Sequence, residues 1–304
     1  MDWTIEFDKA IEQYLPDLEV LQDEPMSRHT TFRIGGPAKR MAFPSSREQL
    51  VLLMSFAKNY GANPLVIGNG SNLLVPDEGL DRLVIDTSAN LNRVERGSGN
   101  TVLADAGATL ARTADLACKS GLTGLEFAHG IPGTVGGGVC MNAGAYGGEM
   151  KDVVTSCRYV GGDGEIHEMS AAEMQLTYRH SVFSGSSMVI TSVTMELVPG
   201  DKAEIKSRME ELMQRRRDKQ PLNFPSCGST FKRPEGYFAA ALIEECGLKG
   251  FTIGGAQVSE KHSGFVINRG GATCADVTAL MAVIQRRVWE EKGVRLEPEI
   301  KMIH

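Results

Sequence analysis

The sequence predicts an α+β fold in which a β-rich middle block, roughly Arg33 to Val198, lies between smaller units of mixed helix and strand. Three observations predict it. Amphipathic segments bounded by capping residues and glycines occur on both sides of the block. Short apolar runs separated by turn residues fill the block itself. The chain has 34 glycines in 304 residues, above the usual share of about 7%, and many of them cluster inside the block.

Composition restricts the function classes. Hydrophobic residues make up 42% of the chain, charged residues 23%, the net charge is −6 and the pI is about 5.6. No basic patch of the kind that binds nucleic acid is evident. The acidic N-terminus lacks the basic start of a signal peptide, and no apolar run approaches the roughly 20 residues that span a bilayer. We therefore expect a cytoplasmic protein that binds neither nucleic acid nor membrane.

The six cysteines are scattered, with no C-x-x-C pair and no histidine at a metal-ligand spacing. Such a pattern predicts free thiols in a reducing compartment and no metal site.

The first elements follow from periodicity and punctuation. Residues 3–15 form an amphipathic pattern, which predicts a helix. Residues 29–44 are turn-rich and lead into a short strand that Pro44 stops. Residues 45–61 combine a serine cap, an apolar stripe and a terminal glycine, as a helix requires. Residues 64–76 read as a strand, a glycine-rich turn and a second strand.

The middle block continues with short elements. Residues 83–88 and 101–109 are predicted strands, and residues 110–121 a helix that ends at Gly121. Residues 124–150 consist almost entirely of turn residues. Residues 153–170 predict a hairpin around Gly161–Gly164.

A strand closes the middle block, and Pro199–Gly200 is the predicted boundary between this block and the C-terminal part of the chain. The remaining elements are predicted from the same signals: a charged helix at 202–220, a helix at 238–250, strands and turns at 254–271, a long amphipathic helix at 274–293 and a terminal strand at 294–304.

A glycine loop in "VIGNGSNLLV" lies between two apolar runs and consists of Gly68, Asn69, Gly70, Ser71 and Asn72. Successive glycines allow backbone N–H groups to converge on one point and bind an anion. Ser71 and Asn72 add side-chain donors. The loop matches neither a P-loop nor a dinucleotide G-x-G-x-x-G fingerprint. An ordinary tight turn is the alternative.

A second glycine-rich segment runs from Gly130 to Gly148. Interior glycines lower stability by up to about 1 kcal/mol each, so a run this dense needs a compensating role. A flexible linker is one alternative, but linkers are seldom interleaved with apolar residues. Close approach of backbone to a ligand is favoured, and the two loops together suggest a dinucleotide held outside a Rossmann frame.

Ser229, in "NFPSCGSTFKRP", follows a glycine, but Phe231 stands where G-x-S-x-G needs its last glycine. The stretch therefore does not predict a nucleophile elbow.

The motifs "VIGNGSNLLV", "LEFAHGIPGTVGGGVCMNAGAYGGE", "YRHSVF", "CGSTFKRP" and "LEPEIKMI" occur in this order. The ordered set resembles the UDP-N-acetylenolpyruvoylglucosamine reductase family from about His29 to the C-terminus. The resemblance implies a flavoenzyme that makes UDP-N-acetylmuramate for peptidoglycan, with noncovalent FAD as cofactor and NADPH as co-substrate.

The resemblance also implies an architecture. The middle would be an FAD-binding domain of the vanillyl-alcohol-oxidase (PCMH) type, covering about 33–198. We expect an N-terminal unit at 1–75 completed by the terminal strand 296–304, an FAD-binding domain at 76–200 and a substrate domain at 201–295.

Cofactor contacts are carried over from the family's motifs. The loop from Gly68 through Asn69, Gly70 and Ser71 to Asn72 would cradle the FAD pyrophosphate, and Arg33 would lie near the cofactor. The remaining predicted contacts line the flavin: Gly130, Ile131, Pro132, Gly133, Gly136, Gly137, Asn142, Gly144, Ala145 and Gly147.

The implied reaction transfers hydride from N5 of reduced FAD to C3 of the enolpyruvyl ether of UDP-N-acetylglucosamine, and a proton to C2. Ser229 would donate that proton, since a neutral hydroxyl suffices for a strongly basic carbanionic centre. Arg179 would stabilise the enolate, because its planar fork suits a carboxylate. The resemblance assigns the third role to Glu299, either protonated or orienting Ser229, Arg179 or a water. A loop serine, a surface salt bridge and solvated acids are the alternatives for these residues.

Lys219, at the end of the charged helix, would contact a nucleotide phosphate, although basic residues there also suit the helix dipole. Arg233 is the second predicted substrate contact, although it stands where the family often has asparagine. His262 more simply lines the C-terminal domain than acts in catalysis.

One branch of the family carries a tyrosine-bearing insertion after its "YRxS" segment. Here only a short Ser/Gly turn follows Phe183, so the chain resembles the shorter branch. Two other function classes stay open at this point: another FAD-dependent oxidoreductase of the same flavin fold, and a non-catalytic nucleotide-binding module. No obligate protein partner is implied.

Overall fold

A computed structural model describes residues 2–303. The helices in this range are α1 (Trp3–Tyr14), α2 (Arg47–Tyr60), α3 (Leu110–Lys119), α4 (Val135–Cys140), α5 (Lys202–Lys219), α6 (Ala239–Glu245) and α7 (Cys274–Lys292).

The strands of the first half are short and lie where apolar runs alternate with turns. They are β1 (Glu19–Pro25), β2 (Pro37–Phe43), β3 (Leu65–Ile67), β4 (Leu73–Leu74), β5 (Leu80–Asp86), β6 (Val94–Arg96), β7 (Thr101–Asp105), β8 (Leu122–Thr123), β9 (Gly144–Ala145) and β10 (Gly148–Glu149).

The strands of the second half follow the same pattern. They are β11 (Val154–Val160), β12 (Ile166–Ser170), β13 (Val189–Glu196), β14 (Val198–Pro199), β15 (Thr252–Ile253), β16 (Ala256–Val258), β17 (Val266–Asn268) and β18 (Lys301–Met302).

The chain forms two compact units. The first contains the residues up to Gln22 together with Arg40–Asn69 and Arg82–Gln214, and the second contains Asp23–Lys39, Gly70–Asp81 and the chain from Arg215 onward. The division into three domains drawn from the sequence stays a prediction.

An antiparallel five-stranded sheet in the order β12-β11-β13-β7-β6 dominates the first unit. Val193 and Met195 of β13 pair with Ala104 and Val102 of β7, and all four side chains are buried. Their alternation with exposed residues is the pattern of a sheet that faces a core on one side only. The core on that side also includes residues of α3 and α4.

A four-stranded sheet has the order β1-β2-β5-β3, with β3 and β5 parallel. Helices α1 and α2 supply Phe7, Leu50 and Leu53 to a core with Leu83 and Ile85 of β5. The serine and glycine that predicted α2 both cap it: Ser46 accepts from Gln49 N, and Gly61 ends the helix at φ +73°.

The second unit is built around α6, α7 and the small antiparallel sheet β15-β16-β17. Thr273 and Asp276 form a capping box at the start of α7, and Gly293 ends this helix at φ +68°. The terminal strand β18 pairs in parallel with β4, Lys301 opposite Leu73. Strand β4 lies within residues 1–75, the segment that the terminal strand was predicted to complete.

Two predictions of local structure were wrong, and several short strands were missed. Residues 124–150 are not only turns, because α4 and the β9–β10 hairpin form there. The terminal strand is short, since ladder pairing is confined to Lys301–Met302 and Pro298 makes an isolated bridge with Phe231. Strand β1 was missed, because its polar residues hide the period-2 pattern.

The six cysteines are free thiols. Within residues 2–303, no group of three or more His, Cys, Asp or Glu side chains is placed to hold a metal ion. None of the helices in this range has the length and apolar character needed to cross a membrane.

Candidate active site

The Gly68–Asn72 loop offers a run of backbone donors. None of its five N–H groups donates a hydrogen bond to another residue in the described part of the chain. Gly70 is buried and the other four residues are half-buried, so donors without a protein partner are available at a partly enclosed site. An anion with several oxygen acceptors would satisfy these donors, as in known backbone nests.

Gly70 and Ser71 form the second half of this loop. Gly70 has φ +56°, and a Cβ added there would lie 2.1 Å from the His29 carbonyl oxygen, so this position requires glycine. Ser71 is half-buried, and its hydroxyl has no hydrogen-bond partner among residues 2–303. The Ser71 hydroxyl is therefore a further donor that an anion at the loop can use, whereas one of the two amide hydrogens of Asn72 is already bonded, to the Glu299 carbonyl. The predicted contact of Ser71 with the pyrophosphate stays a prediction.

The first unit brings the start of this loop against the glycine-rich segment. Asn69 Nδ2 donates to the carbonyl of Pro132 at 3.2 Å. A Cβ added at Gly68 would lie 2.2 Å from Thr134 Oγ1, so the close approach of the two segments requires a glycine here. Thr134 itself is the N-cap of α4.

The glycines of the second segment occur for different structural reasons. A Cβ at Gly136 would lie 2.7 Å from Ala106 Cβ, and one at Gly144 would lie 2.8 Å from the Gly148 carbonyl. Both glycines therefore serve protein packing. Gly137 is exposed and has only Thr134 Oγ1, at 3.4 Å, beside its Cβ position, and Gly147 has no atom within 4 Å. Protein packing therefore does not explain the glycine at 137, and the positive φ of +89° explains the one at 147.

The other residues predicted to line the flavin belong to the same segment. Ile131 N donates to the Ala128 carbonyl, and the Gly133 carbonyl accepts from Leu110 N. Ala145 pairs with Gly148 in the β9–β10 hairpin. Gly130 is half-buried. These bonds fix the backbone of the segment, and the predicted contacts of these residues with the flavin stay predictions.

Arg179 occupies the tip of a tight turn in the same unit. Thr177 and His180 hydrogen-bond to each other through N–H and carbonyl in both directions, at 3.0 and 3.2 Å. Arg179 has φ +56°, a conformation that is uncommon for a residue with a side chain and concentrates at functional sites. The sequence carried no signal for this backbone, because the turn contains neither glycine nor asparagine.

Asn142, predicted to contact the flavin, has its side chain committed elsewhere. Nδ2 donates to Glu149 Oε2 at 2.7 Å and to the Thr177 carbonyl at 3.0 Å, and Oδ1 accepts from Lys151 N at 2.9 Å. The residue is 1% exposed. These bonds use both amide hydrogens, so a further donation to a cofactor is not available without breaking one.

Ser229 lies in the second unit on a loop fixed from both sides. Thr230 N donates to the Gly264 carbonyl, Glu299 N donates to the Thr230 carbonyl, and Lys232 N donates to the Glu297 carbonyl. Within residues 2–303, no group hydrogen-bonds to Ser229 Oγ, and the residue is half-buried. The backbone beside Ser229 is therefore fixed, and its hydroxyl remains available to a ligand.

The same pairing sets the Glu299 segment beside the Ser229 loop. Glu299 is half-buried, whereas Glu297 is exposed and its Oε2 lies 3.2 Å from Lys232 Nζ. The two acids thus differ in environment, with Glu297 on the solvent side. Asn72 Nδ2 donates to the Glu299 carbonyl at 3.0 Å, which ties the end of the first glycine loop to this segment.

A thiol completes the anchoring of the Ser229 loop. Cys227 Sγ donates to the Leu73 carbonyl at 3.1 Å. Burial raises the pKa of this thiol to about 12, so at neutral pH it keeps the proton that it donates. Thr31 Oγ1 donates to the Ser226 carbonyl at 2.7 Å. Neither Cys227 nor Thr31 was singled out from the sequence.

The remaining predicted site residues are more exposed. Arg33 has φ +55° and is exposed. Arg233 stacks over the ring of Phe238 at 4.0 Å, and its Nε donates to the Tyr237 carbonyl at 3.3 Å. Lys219 lies at the end of α5 and is also exposed.

His262 belongs to the same compact unit as Lys219. Its pKa is lowered chiefly by burial and further by the charge of Lys219. Nδ1 accepts from Gly264 N at 3.1 Å, so the neutral ring carries its proton on Nε2. This geometry agrees with a residue that shapes the loop next to Thr230.

Comparison with known proteins agrees with this geometry. Residues 38–170 match the FAD binding domain family, and residues 220–303 match the UDP-N-acetylenolpyruvoylglucosamine reductase C-terminal domain family. FAD fits the residues present, because its pyrophosphate is an anion of the kind that the Gly68–Asn72 donors require. The fold and this loop define an FAD-dependent oxidoreductase.

Full-length relatives identify the family. A UDP-N-acetylenolpyruvoylglucosamine reductase from Agathobacter rectalis is 49% identical, over 98% of each chain. One from Caldanaerobacter subterraneus is 47% identical over 96% of each. The crystal structure of the Thermus caldophilus enzyme aligns with a TM-score of 0.77 and 34% identity, covering 94% of this chain and 99% of that one. The chain belongs to the UDP-N-acetylenolpyruvoylglucosamine reductase family, which uses FAD and NADPH.

A more distant structure shows the fold alone. Berberine bridge enzyme from Eschscholzia californica aligns with a TM-score of 0.50 and 16% identity, over 64% of this chain and 44% of that one.

Proposed function

We propose that the protein uses NADPH to reduce UDP-N-acetylglucosamine enolpyruvate to UDP-N-acetylmuramate, a peptidoglycan precursor, in the cytoplasm. The observation that carries this proposal is the Ser229 hydroxyl, which is half-buried, has no partner in the described chain and lies on a loop fixed by backbone pairing. A hydroxyl that is available and lies on a fixed backbone is suited to donate a proton.

The cofactor would be bound noncovalently through backbone. The N–H groups of Gly68 to Asn72 would hold its pyrophosphate together with the hydroxyl of Ser71, and the open positions at Gly137 and Gly147 would admit the flavin. When bound there, the cofactor would supply hydride chemistry to C3 of the enolpyruvyl group, with NADPH as the reductant.

Ser229 would donate its proton to C2. The carbanionic centre formed at that carbon is a much stronger base than an alkoxide, so a neutral hydroxyl is a competent acid here. The hydroxyl also brings no negative charge to an anionic substrate.

Arg179 would stabilise the negative charge that spreads into the substrate carboxylate. Its guanidinium can donate two parallel hydrogen bonds to that group, and preorganised donors of this kind are usually the largest catalytic contribution. The left-handed backbone at this position supports a functional rather than a purely structural turn.

Glu299 would orient the proton donor, a role favoured by the hydrogen bond from its backbone N–H to the Thr230 carbonyl. Lys219 and Arg233 would contact the nucleotide portion of the substrate. The exposed cationic end of α5 supports the first assignment, and the guanidinium of Arg233, stacked on Phe238, supports the second.

Stopped-flow absorbance of the flavin tests the proposal in two halves. NADPH should bleach the flavin of the purified holoenzyme, and UDP-N-acetylglucosamine enolpyruvate should then restore its colour in the absence of oxygen. Free enolpyruvate ethers without the nucleotide serve as the control. A flavin that is reduced by NADPH but stays reduced with the full substrate would contradict the proposed activity.

A further inference from the structure

The turn that carries Arg179 is attached to the glycine-rich segment at two points. On its entering side, the Thr177 carbonyl accepts from Asn142 Nδ2 at 3.0 Å. On its leaving side, Ser181 Oγ donates to the Cys140 carbonyl at 2.6 Å. Both attachments lie at the end of α4, so the turn and the segment are joined by side chains rather than by a strand ladder.

Asn142 is the more constrained of these anchors. It is buried, has φ +43° and makes three hydrogen bonds, two as donor and one as acceptor. Asparagine is among the few residues with a side chain that tolerate this backbone region. A buried polar group satisfied to this degree fixes one local arrangement, and its removal leaves other buried groups without partners.

The hydrogen bond from Asn142 Nδ2 to Glu149 sets the orientation of the Asn142 amide. Glu149 Oε2 accepts from Nδ2 at 2.7 Å, and Lys151 Nζ lies 3.2 Å from the same oxygen. Glu149 is also the first residue of a capping box with Asp152. The carboxylate is therefore held by its own surroundings, and the amide is directed at the Thr177 carbonyl.

We infer that Asn142 is a positioning residue for Arg179, acting through the Thr177 carbonyl and not through contact with the flavin. The inference rests on the proposed function, because it concerns where the Arg179 guanidinium meets the substrate carboxylate. A misplacement of about 1 Å remote from the reacting atoms can lower a rate by about 10²-fold. Asn142 would thus affect the half-reaction with substrate while leaving reduction by NADPH intact.

Two substitutions separate the contribution of the Asn142 side chain from that of its backbone conformation. Asn142→Gly keeps the left-handed conformation accessible and deletes all three hydrogen bonds. Asn142→Asp keeps the shape and the acceptor for Lys151 N but removes both donors and faces the Glu149 carboxylate. Asn90→Ala is the matched control, since Asn90 Nδ2 also donates to a backbone carbonyl, that of Phe43 at 3.1 Å.

The experiment uses the FAD-loaded full chain and stopped-flow flavin absorbance. Both Asn142 variants should retain FAD and be reduced by NADPH within about twofold of the starting enzyme. Their reoxidation by substrate should fall by roughly 10- to 100-fold, and Asn90→Ala should show neither loss. Unchanged reoxidation in a folded Asn142→Gly variant would overturn the inference, as would loss of FAD from that variant.

A double variant gives a readout that a general loss of stability would not produce. If Asn142 acts through Arg179, then Asn142→Gly added to Arg179→Ala should lower reoxidation by no more than about twofold further. Additive losses would overturn the inference. Failure of the starting enzyme to reoxidise with substrate would instead contradict the proposed function, so the two failures are distinguishable.

Discussion

Arg179 and Ser229 lie in different units of the chain and are fixed by different kinds of bond. The Ser229 loop is held mainly by backbone pairing, from Thr230 to Gly264 and from Thr230 and Lys232 to the Glu299 segment. The Arg179 turn closes on itself and is attached to its surroundings by the side chains of Asn142 and Ser181.

This difference determines which substitutions are expected to disturb the position of each residue. Backbone pairing survives most side-chain changes, because the N–H and carbonyl groups remain. A side-chain anchor disappears with a single substitution. Side-chain bonds also support the Ser229 loop, from Cys227 to the Leu73 carbonyl and from Thr31 to the Ser226 carbonyl. We therefore expect the predicted proton-donor region to depend less on its anchoring side chains than the predicted carboxylate-binding region around Arg179.

The largest effect is expected for Ser229→Ala. Reoxidation of the flavin by substrate should slow by roughly 10²- to 10⁴-fold, the usual contribution of a general acid, while reduction by NADPH continues normally. Rapid-mixing absorbance of each half-reaction measures both rates. Ser226→Ala, in the same loop, is the control and should behave as the unaltered enzyme. Equal slowing of both half-reactions by Ser229→Ala would remove the serine from the role of acid.

Arg179→Lys should follow, with a loss of about 10²- to 10³-fold in the substrate half-reaction, comparable to removal of one preorganised donor. Lysine keeps the charge but is a point donor that cannot make the paired hydrogen bonds of the guanidinium. His180→Ala, at the neighbouring exposed residue, is the control. Near-normal reoxidation in the lysine variant would argue against bidentate binding and would weaken the contrast between the two regions.

Lys219→Ala should raise the apparent KM for both NADPH and the UDP-sugar by roughly tenfold, equivalent to about 1.4 kcal/mol, without a large change in the maximal flavin rates. Its charge would serve a phosphate that both ligands carry in turn. Lys206→Ala, an exposed lysine on the same helix, is the control. The difference between the two variants should shrink at high ionic strength, because exposed charges are screened. An effect on one ligand only would contradict a shared phosphate contact.

The smallest effect concerns the helix that supports the second unit. The pKa of Asp276 lies below its usual value because its carboxylate accepts from Gly255 N and Thr273 N. A lowered carboxyl pKa stabilises the fold at pH values above the unfolded value near 3.8, and this stabilisation is lost as the pH falls toward the folded-state pKa.

Chemical denaturation across this range should therefore show a steeper fall in unfolding free energy for the unaltered protein than for Asp276→Asn. Glu204→Gln, exposed in the first turn of α5, is the comparison variant. Parallel pH profiles for Asp276→Asn and the unaltered protein would show that this carboxylate does not contribute to acid unfolding.

Local structure followed closely from local sequence. Ser46 and Gly61 marked the ends of α2, and Gly293 marked the end of α7, because caps depend on a few adjacent residues. The hairpin around Gly161–Gly164 was also predicted, and β11 and β12 pair there. Helix α4 was missed because three consecutive glycines in its six residues conceal its helical signal.

The residues of the candidate site are still predictions, and the bonds that anchor them had no signal in the sequence. Ser229, Arg179 and Glu299 came from ordered motifs, whereas the anchoring bonds of Asn142, Asn72 and Cys227 did not. Asn142 was expected to line the flavin, and this contact stays a prediction, although both hydrogens of its side-chain amide are used within the protein. Asn72 was expected, like Ser71, to offer a side-chain donor to the pyrophosphate, and both contacts stay predictions. One hydrogen of Asn72 Nδ2 bonds to the Glu299 carbonyl, whereas the Ser71 hydroxyl has no partner within residues 2–303. Two adjacent polar residues in one loop look alike in sequence, because sequence does not say which of them faces a protein carbonyl.

The role of each glycine in the glycine-rich segment was ambiguous in the same way. A glycine-rich segment predicts a close backbone approach, yet it does not say whether the neighbour is a ligand, as Gly137 allows, or Ala106, as at Gly136.

The sequence by itself determined the helix ends, the glycine loops, the family motifs and the short Ser/Gly turn after Phe183. Only the tertiary structure decided which bonds hold the segments that carry the predicted site residues. Asn72 meets the Glu299 carbonyl across 227 residues, and Asn142 meets the Thr177 carbonyl across 35. The physical reason is that capping and turn preferences act between near neighbours, whereas these bonds form only after burial has brought distant segments together.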